Sequence, residues 1–331
     1  MRSEVGRSGT WFIRVASVGA MTALTAMPVQ AQSYPGKMVR IVIGFAPGGS
    51  MDVTARLLAE RMRDEMGQQV LVENRPGASG SIAAELVAKS SADGHTILLS
   101  GGGTFAIQQK LQRKLPYDAQ RDFSPVLYVA NYPLVLVVPY ALPVRSMKEL
   151  LALARSNPGA LNYSSSGIGS TTHLSGEYFR TAAKIDIVHV PYKGSSAMMS
   201  DLVGGQVHLA FDQITTAGPQ AQAGKLKMLA VSTDKRSALV PELPTVAESG
   251  VPGYASYSWS GIVVPSSTPA PVVTKLAQIA DHAVKSSEFK QRLALSGGEA
   301  VGGTSDQFSR HIKSEAAKWS TLIDKFGLKP Q

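Results

Sequence analysis

Two stretches of small residues stand where an apolar run ends and a helical pattern begins, and their chemistry suits anion binding better than bond breaking. In the first, Phe45-Ala46-Pro47-Gly48-Gly49-Ser50 closes the run from Val39 and precedes a helical pattern from Asp52. In the second, Ser165-Ser166-Gly167-Ile168-Gly169-Ser170-Thr171 follows Leu161 to Ser164 and leads into a pattern through His173 and Leu174. The first N–H groups of a helix have no acceptor within it, and the helix dipole adds positive potential there. Two such ends facing each other across a groove would hold a small carboxylate without a Lys or Arg.

Each of these residues also has a plainer reading. Ser50 and Asp52 suit the start of a helix as caps, but the free amides of Gly48 and Gly49 favour binding. Asp52 is expected to brace the loop, because a carboxylate beside a carboxylate repels. Ser170 and Thr171 read like Ser50. His173, with Glu177 one turn on, is either a hydrogen-bond partner of ligand or loop or a packing residue. Tyr192 and Asp212 each follow a strand and either line the groove or make a structural hydrogen bond. Thr104 is read as a hydroxyl on the groove wall, and Ser79 joins it from the turn Arg75 to Gly80.

Other chemistries find less support. His173, His189 and His208 lack metal-ligand spacing and the chain has no Cys, so no metal is expected. Gly101-Gly102-Gly103 through Ala106 fits a dinucleotide fingerprint in form only. That motif needs an acidic residue about 20 positions on at a strand end, and Asp118 and Asp122 fall in a loop. No cofactor is expected either. The G-x-S-x-G, P-loop and H-E-x-x-H patterns are absent. A serine hydrolase using Ser50 or Ser170 with His173 stays open as a rival and would need a base poised on the serine.

The elements that must position these loops alternate strand and helix at the spacing of βαβ units, which predicts parallel sheets covered by helices. Val39 to Phe45, Val70 to Glu73 and Thr96 to Leu99 are predicted strands that empty into small-residue loops. Ala55, Leu58, Ala59, Met62 and Met66 make one helix face ending at Gly67. Leu134 to Val138 is read as a strand crossing into a second lobe, where the pattern restarts. There it runs from a helix at Lys148 to Ala154 through strands near Asn162, Ile187 to Val190 and Val207 to Phe211. Leu226 to Val231 and Ser258 to Val264 are the candidates for returning the chain to the first lobe. Helices at Val272 to Val284 and Gln307 to Phe326 finish it. The expected division is residues 1–31 as a signal peptide, 34–133 plus 258–331 as lobe 1, and 134–257 as lobe 2. A double crossing makes a paired hinge that permits closure.

A chain of 331 residues can build two such lobes, and 44% apolar with only 17% charged residues excludes disorder. Arg2, Arg7 and Arg14 precede an uncharged stretch from Val15 to Met27, and Val29-Gln30-Ala31 supplies a cleavage pattern. This is the layout of a signal peptide cut after Ala31; the short apolar stretch and Pro28 argue against an uncleaved anchor. The mature chain is therefore expected outside the cytoplasm. Without Cys it can carry neither a lipid anchor nor a disulfide. The net charge of +9 falls by two when residues 1–31, with three Arg and one Glu, are removed. Its densest cluster, Lys110 with Arg113 and Lys114, has no interleaved aromatics, so no nucleic-acid partner is expected.

Further motifs run along nearly the whole mature length: Asp52 with Ala55-Arg56, Val72-Glu73-Asn74-Arg75-Pro76-Gly77, Leu115-Pro116-Tyr117-Asp118, and Gly167-Ile168-Gly169-Ser170 with His173-Leu174. Then come His189-Val190-Pro191-Tyr192-Lys193-Gly194, Asp201-Leu202 with Gly204-Gly205-Gln206-Val207, and Pro244-Thr245-Val246-Ala247-Glu248. In these segments, together with Phe45 to Ser50, the chain resembles the extracytoplasmic solute-binding receptors of tripartite tricarboxylate transporters, the Bug family. It departs from that pattern at Met51 and at Gln108-Gln109.

The resemblance implies a two-lobed α/β periplasmic-binding-protein fold of the Venus flytrap, type II-like kind. A parallel-rich sheet in each lobe and a double-crossover hinge belong to it. It implies no enzymatic activity, a periplasmic location, and a monomer that binds a small mono-, di- or tricarboxylate. The partners would be the membrane permease subunits of such a transporter; a receptor reporting to a membrane sensor is the alternative. In that family the carboxylate sits between the two Gly/Ser loops, held by amides, hydroxyls and waters. The residues expected to bind ligand are thus Phe45, Ala46, Pro47, Gly48, Gly49, Ser50, Asp52, Ser79, Thr104, Ser166, Gly167, Gly169, Ser170, Thr171, His173, Tyr192 and Asp212.

Overall fold

The computed structural model describes residues 34–328, so the expected signal peptide lies outside the described residues. Among the described residues ten strands form one curled mixed sheet, whose main path runs β2-β1-β3-β9-β4-β7-β5-β6. At one end β1 (Val39–Ile43) lies parallel between β2 (Val70–Asn74) and β3 (Thr96–Gly101). At the other, β5 (Asn162–Ser165) lies parallel between β6 (Val188–Pro191) and β7 (Leu209–Gln213). Between these parallel portions the pairing is antiparallel, along β4 (Phe123–Pro139) and β9 (Tyr257–Pro265). The chain has the two-lobed α/β architecture expected from its sequence.

The strand β4 is 17 residues long and changes partners midway. From Phe123 to Pro133 it pairs with β9, and from Leu134 onward with β7 and β8 (Leu226–Val231). The handover falls at Pro133, which has no N–H to give to a ladder. The strand is longer than the Leu134 to Val138 segment read from sequence. A second correction concerns Leu226 to Val231: it pairs with the far half of β4 and does not lead back, so β9 alone makes the return. The short strand β10 (Glu299–Ala300) also pairs with β4, at Asn131 and Ala130.

Helices cover both faces of the sheet, as parallel strands require. On the β1 side, α1 (Ser50–Met66), α8 (Ala270–Lys285) and α9 (Ser287–Leu295) bury Leu58, Met62, Ile279 and Phe289 against Ile41, Leu99 and Ile262. The opposite face takes α2 (Ser81–Ala88) and α10 (Ser305–Phe326), with Phe308 and Ile312 against Leu98 and Val263. Beyond Pro133, Leu134, Leu136 and Val138 point to α4 (Met147–Ser156) and α5 (Thr171–Ala183), whereas Val135 and Val137 point to α6 (Ser195–Val203) and α7 (Ile214–Gln222). That alternation is the two-residue period of a strand buried on both sides. The short α3 (Gln108–Leu111) continues a π turn at Gly103–Ile107; Ala106 and Ile107 of that turn pack with Leu174 of α5 and Trp319 of α10.

Candidate functional site

The carboxyl ends of β1, β3, β5 and β7 and the middle of the crossing strands surround a cavity of about 560 Å³. Phe45 lines it from the β1–α1 connection, Met51 from the first turn of α1, and Gly101 to Thr104 with Ile107 and Gln108 from the end of β3 onward. The loop Ser166 to Thr172 lines it from the end of β5, and Asp212 and Gln213 from the end of β7. Ser195 of α6, Leu134 of β4 and Ser258 and Trp259 of β9 complete the wall. Among the described residues the lining has no Lys or Arg, and Asp212 is its one charged side chain. Loops at the carboxyl ends of strands are where open α/β sheets bind ligands.

The helix α1 enters with an uncapped N-terminus. Its N-cap is Gly49, which offers no side-chain acceptor, so the first-turn amides from Ser50 on lack a cap. Asp52 does not serve them from its own place in that turn. Its buried carboxylate accepts the Gly48 amide at 3.0 Å, Asn74 Nδ2 at 2.9 Å and Arg56 Nε at 3.0 Å. Burial alone would raise its pKa, but the hydrogen bonds from Arg56, Gly48 and Asn74 outweigh it and hold the group at about 2. Asp52 is the brace of the loop and does not line the cavity. Ala46 to Gly49 are exposed, also outside the lining. The Ser50 hydroxyl reaches across and donates to Gln213 Oε1 at 3.0 Å, tying the start of α1 to the end of β7.

The start of α5 is knitted more tightly. Ser170 caps it, its Oγ accepting the His173 amide at 3.2 Å. Thr172 Oγ1 accepts the Ser166 amide at 2.9 Å, and His173 Nδ1 accepts the Gly169 amide at 3.1 Å. The amides of Thr171 and Thr172, at the first two helical positions, have no intrahelical acceptor and lie at the cavity wall. Gly167 and Gly169 adopt φ of 140° and 76°, which lets the loop fold back on itself at a conformation L side chains avoid. Ile168 at the rim is 63% exposed, and Phe45 on the first loop is 37% exposed. Each of the two loops thus carries one uncovered apolar side chain.

His173 is buried and stacked on His189, with ring centroids 4.1 Å apart. Burial first, and then His189, hold its pKa down at about 4, with Glu177 pulling the other way. Since Nδ1 accepts an amide hydrogen, the neutral ring carries its proton on Nε2. It positions the loop and lies outside the cavity lining. Ser170 Oγ donates to the Gly167 carbonyl at 2.6 Å, so the pair forms no serine–histidine dyad. Tyr192 also lies outside the lining and donates to Asp201 at 2.7 Å. Ser79 belongs to a 3-10 turn, Ala78–Gly80. Thr104 does reach the cavity wall, with its hydroxyl held at 2.6 Å by Ser100.

Of the residues singled out from the sequence, the cavity therefore brings together Phe45, Thr104, Ser166, Gly167, Gly169, Ser170, Thr171 and Asp212. Met51 and Gln108, marked in the sequence as departures from the family pattern, line it too, and Ser195, Gln213, Ser258 and Trp259 do so unforeseen. One of these had a legible signal. Lys193-Gly194-Ser195 repeats the sequence of strand, glycine and helix start, and α6 too begins at a glycine N-cap without a side-chain acceptor. Trp259 is fixed from behind, its Nε1 donating to the buried Glu315 at 3.3 Å.

Asp212 is 1% exposed, and its Oδ2 has no partner among the described residues. Burial pushes its pKa up to about 6, against the Gln213 amide and the Thr216 hydroxyl. Between 3.8, its ordinary value, and 6 the folded chain holds a proton that the unfolded chain releases. The destabilisation thus grows as pH rises through that window and is complete above it. Asp212→Asn should accordingly gain about 1–3 kcal/mol at pH 7.5 and almost nothing at pH 4. Urea unfolding of both proteins at the two pH values measures the difference.

The sequence profile of the family described as "Tripartite tricarboxylate transporter family receptor" matches residues 54–328. BugT of Bordetella pertussis is 34% identical over 323 residues, covering 97% of this chain and 98% of BugT. Among solved structures, "R. palustris Rpa4515 with adipate" superposes with a TM-score of 0.79 at 39% identity, covering 90% of this chain and all of that one. MatC from Rhodopseudomonas palustris, solved with bound malate, superposes with a TM-score of 0.73 at 31% identity. It covers 88% of this chain and 100% of its own. This chain belongs to the tripartite tricarboxylate transporter receptor family.

Proposed function

We propose that this protein is a periplasmic receptor that captures a small carboxylate between its lobes and delivers it to the membrane permease of a tripartite tricarboxylate transporter. Residues 34–133 with 258–331 make one lobe and 134–257 the other, and β4 and β9 are the hinge. The observation that carries the reading is a cavity bordered by two helix starts with open first-turn amides and no lining cation. Each helix end contributes about 0.3–1 kcal/mol, and up to ~2 when partly buried. Hydrogen bonds from desolvated amides to a charged oxygen add about 1.5–3 kcal/mol each. A few suffice for micromolar capture, which needs about 8 kcal/mol.

Closure follows from differential affinity: the closed form presents both amide sets to one carboxylate, and the open form presents one. The Ser50 to Gln213 hydrogen bond, which joins the start of α1 to the end of β7, supports the closed arrangement. That relatives carry adipate and malate supports the ligand class. Isothermal titration of the mature chain with mono-, di- and tricarboxylates should give at least one micromolar ligand and no turnover. A folded protein silent towards all of them contradicts the reading.

A further inference from the structure

A buried carboxylate normally has partners, because leaving its charge unpaired away from water costs several kcal/mol. One oxygen of Asp212 departs from that rule inside the cavity. Its Oδ2 is buried and unpartnered, and register places it beside Val135 on β4, so it sits on a rigid strand. The adjacent Gln213 already spends its oxygen on Ser50, and no Lys or Arg lines the wall to neutralise the charge. A stability-driven sequence would place an apolar or amide residue here. What Oδ2 lacks is a hydrogen-bond donor, and the space its side chain lines is the ligand's.

We propose that Asp212 is a specificity-determining residue that selects carboxylates carrying a second group able to donate a hydrogen bond, a hydroxyl or an ammonium. The proposal rests on the carboxylate reading above and narrows it. A ligand lacking the donor leaves Asp212 Oδ2 unpaired beside the like charge of the ligand's own carboxylate. A ligand with the donor completes a charge-assisted hydrogen bond.

Titration of the mature protein with succinate, malate and aspartate tests this, since the three share a carbon skeleton and differ by hydrogen, hydroxyl or ammonium. Malate or aspartate should bind about tenfold or more tighter than succinate. Asp212→Leu, which removes the acceptor, should bring the three within about twofold to threefold of each other. Asp212→Asn keeps an acceptor without the charge, so it should cost aspartate more than malate; it is expected to be the more stable protein and serves if the leucine variant does not fold. Succinate binding as tightly as the other two, or a preference that survives the loss of Asp212, overturns the selection while leaving carboxylate capture intact. Failure of every carboxylate to bind overturns both.

Discussion

Thr171→Pro should weaken carboxylate binding by about 10- to 150-fold while leaving unfolding free energy within about 0.5 kcal/mol of the parent. The substitution deletes one amide hydrogen and little else. Thr171 is the first helical residue of α5, where proline is favoured because its N–H has no intrahelical acceptor. The preceding Ser170 is already extended, with φ −71° and ψ 161°, as a residue before proline must be. Thr171→Val retains the amide and removes the hydroxyl. It separates backbone donation from side-chain contact in the same titration. Ser50→Pro, compared with Ser50→Ala, repeats the test at α1, where Gly49 is likewise extended. Equal affinities for Thr171→Pro and Thr171→Val would remove the α5 amide from the account.

The second large effect is on the scaffold beneath the site. Gly101→Ala should lose about 3 kcal/mol or more, at the upper end of overpacking penalties. A Cβ there would stand 1.9 Å from the Trp259 carbonyl oxygen and 3.1 Å from its carbon. Both are backbone atoms of β9, paired through Ser260 to Gly101 itself, so no rotamer change relieves the clash. Gly103→Ala, two residues on in the same glycine run, meets nothing within 4 Å and should lie within about 1 kcal/mol of the parent, on the stabilising side. Urea unfolding followed by the fluorescence of the buried Trp259 and Trp319 compares the two. The first and last of the three glycines read from sequence as a weak nucleotide motif thus have distinct physical reasons. The first lets β3 and β9 approach, and the last only lines the cavity.

What could be read from the residues divides along local and non-local physics. The helix starts at Ser50 and Ser170 were legible because capping and glycine geometry are written within a few positions. The bracing of the first loop by Asp52 was legible from like-charge repulsion. The length of β4 was not: its two prolines, Pro125 and Pro133, are accommodated at a register shift and at the exchange of partners, which only the pairing strands set. The placement of Leu226 to Val231 failed for the same reason, because which strand a segment pairs with is set by distant chain. Gln213, Ser258 and Trp259 reach the cavity only through the pairing of β4 with β7 and β9. No local signal marks them. His173 and Tyr192 stood beside the right loops; His173 serves its loop from behind by accepting the Gly169 amide, and the Tyr192 hydroxyl is spent on Asp201 of α6.

A crystal structure of the mature protein with its bound acid tests the central claim most directly. The account predicts one carboxylate group within hydrogen-bond distance, directly or through one water, of first-turn amides from both α1 and α5, with no Lys or Arg side chain touching it. An acid held by a cationic side chain, or seated outside the cavity between these two helix starts, would contradict it.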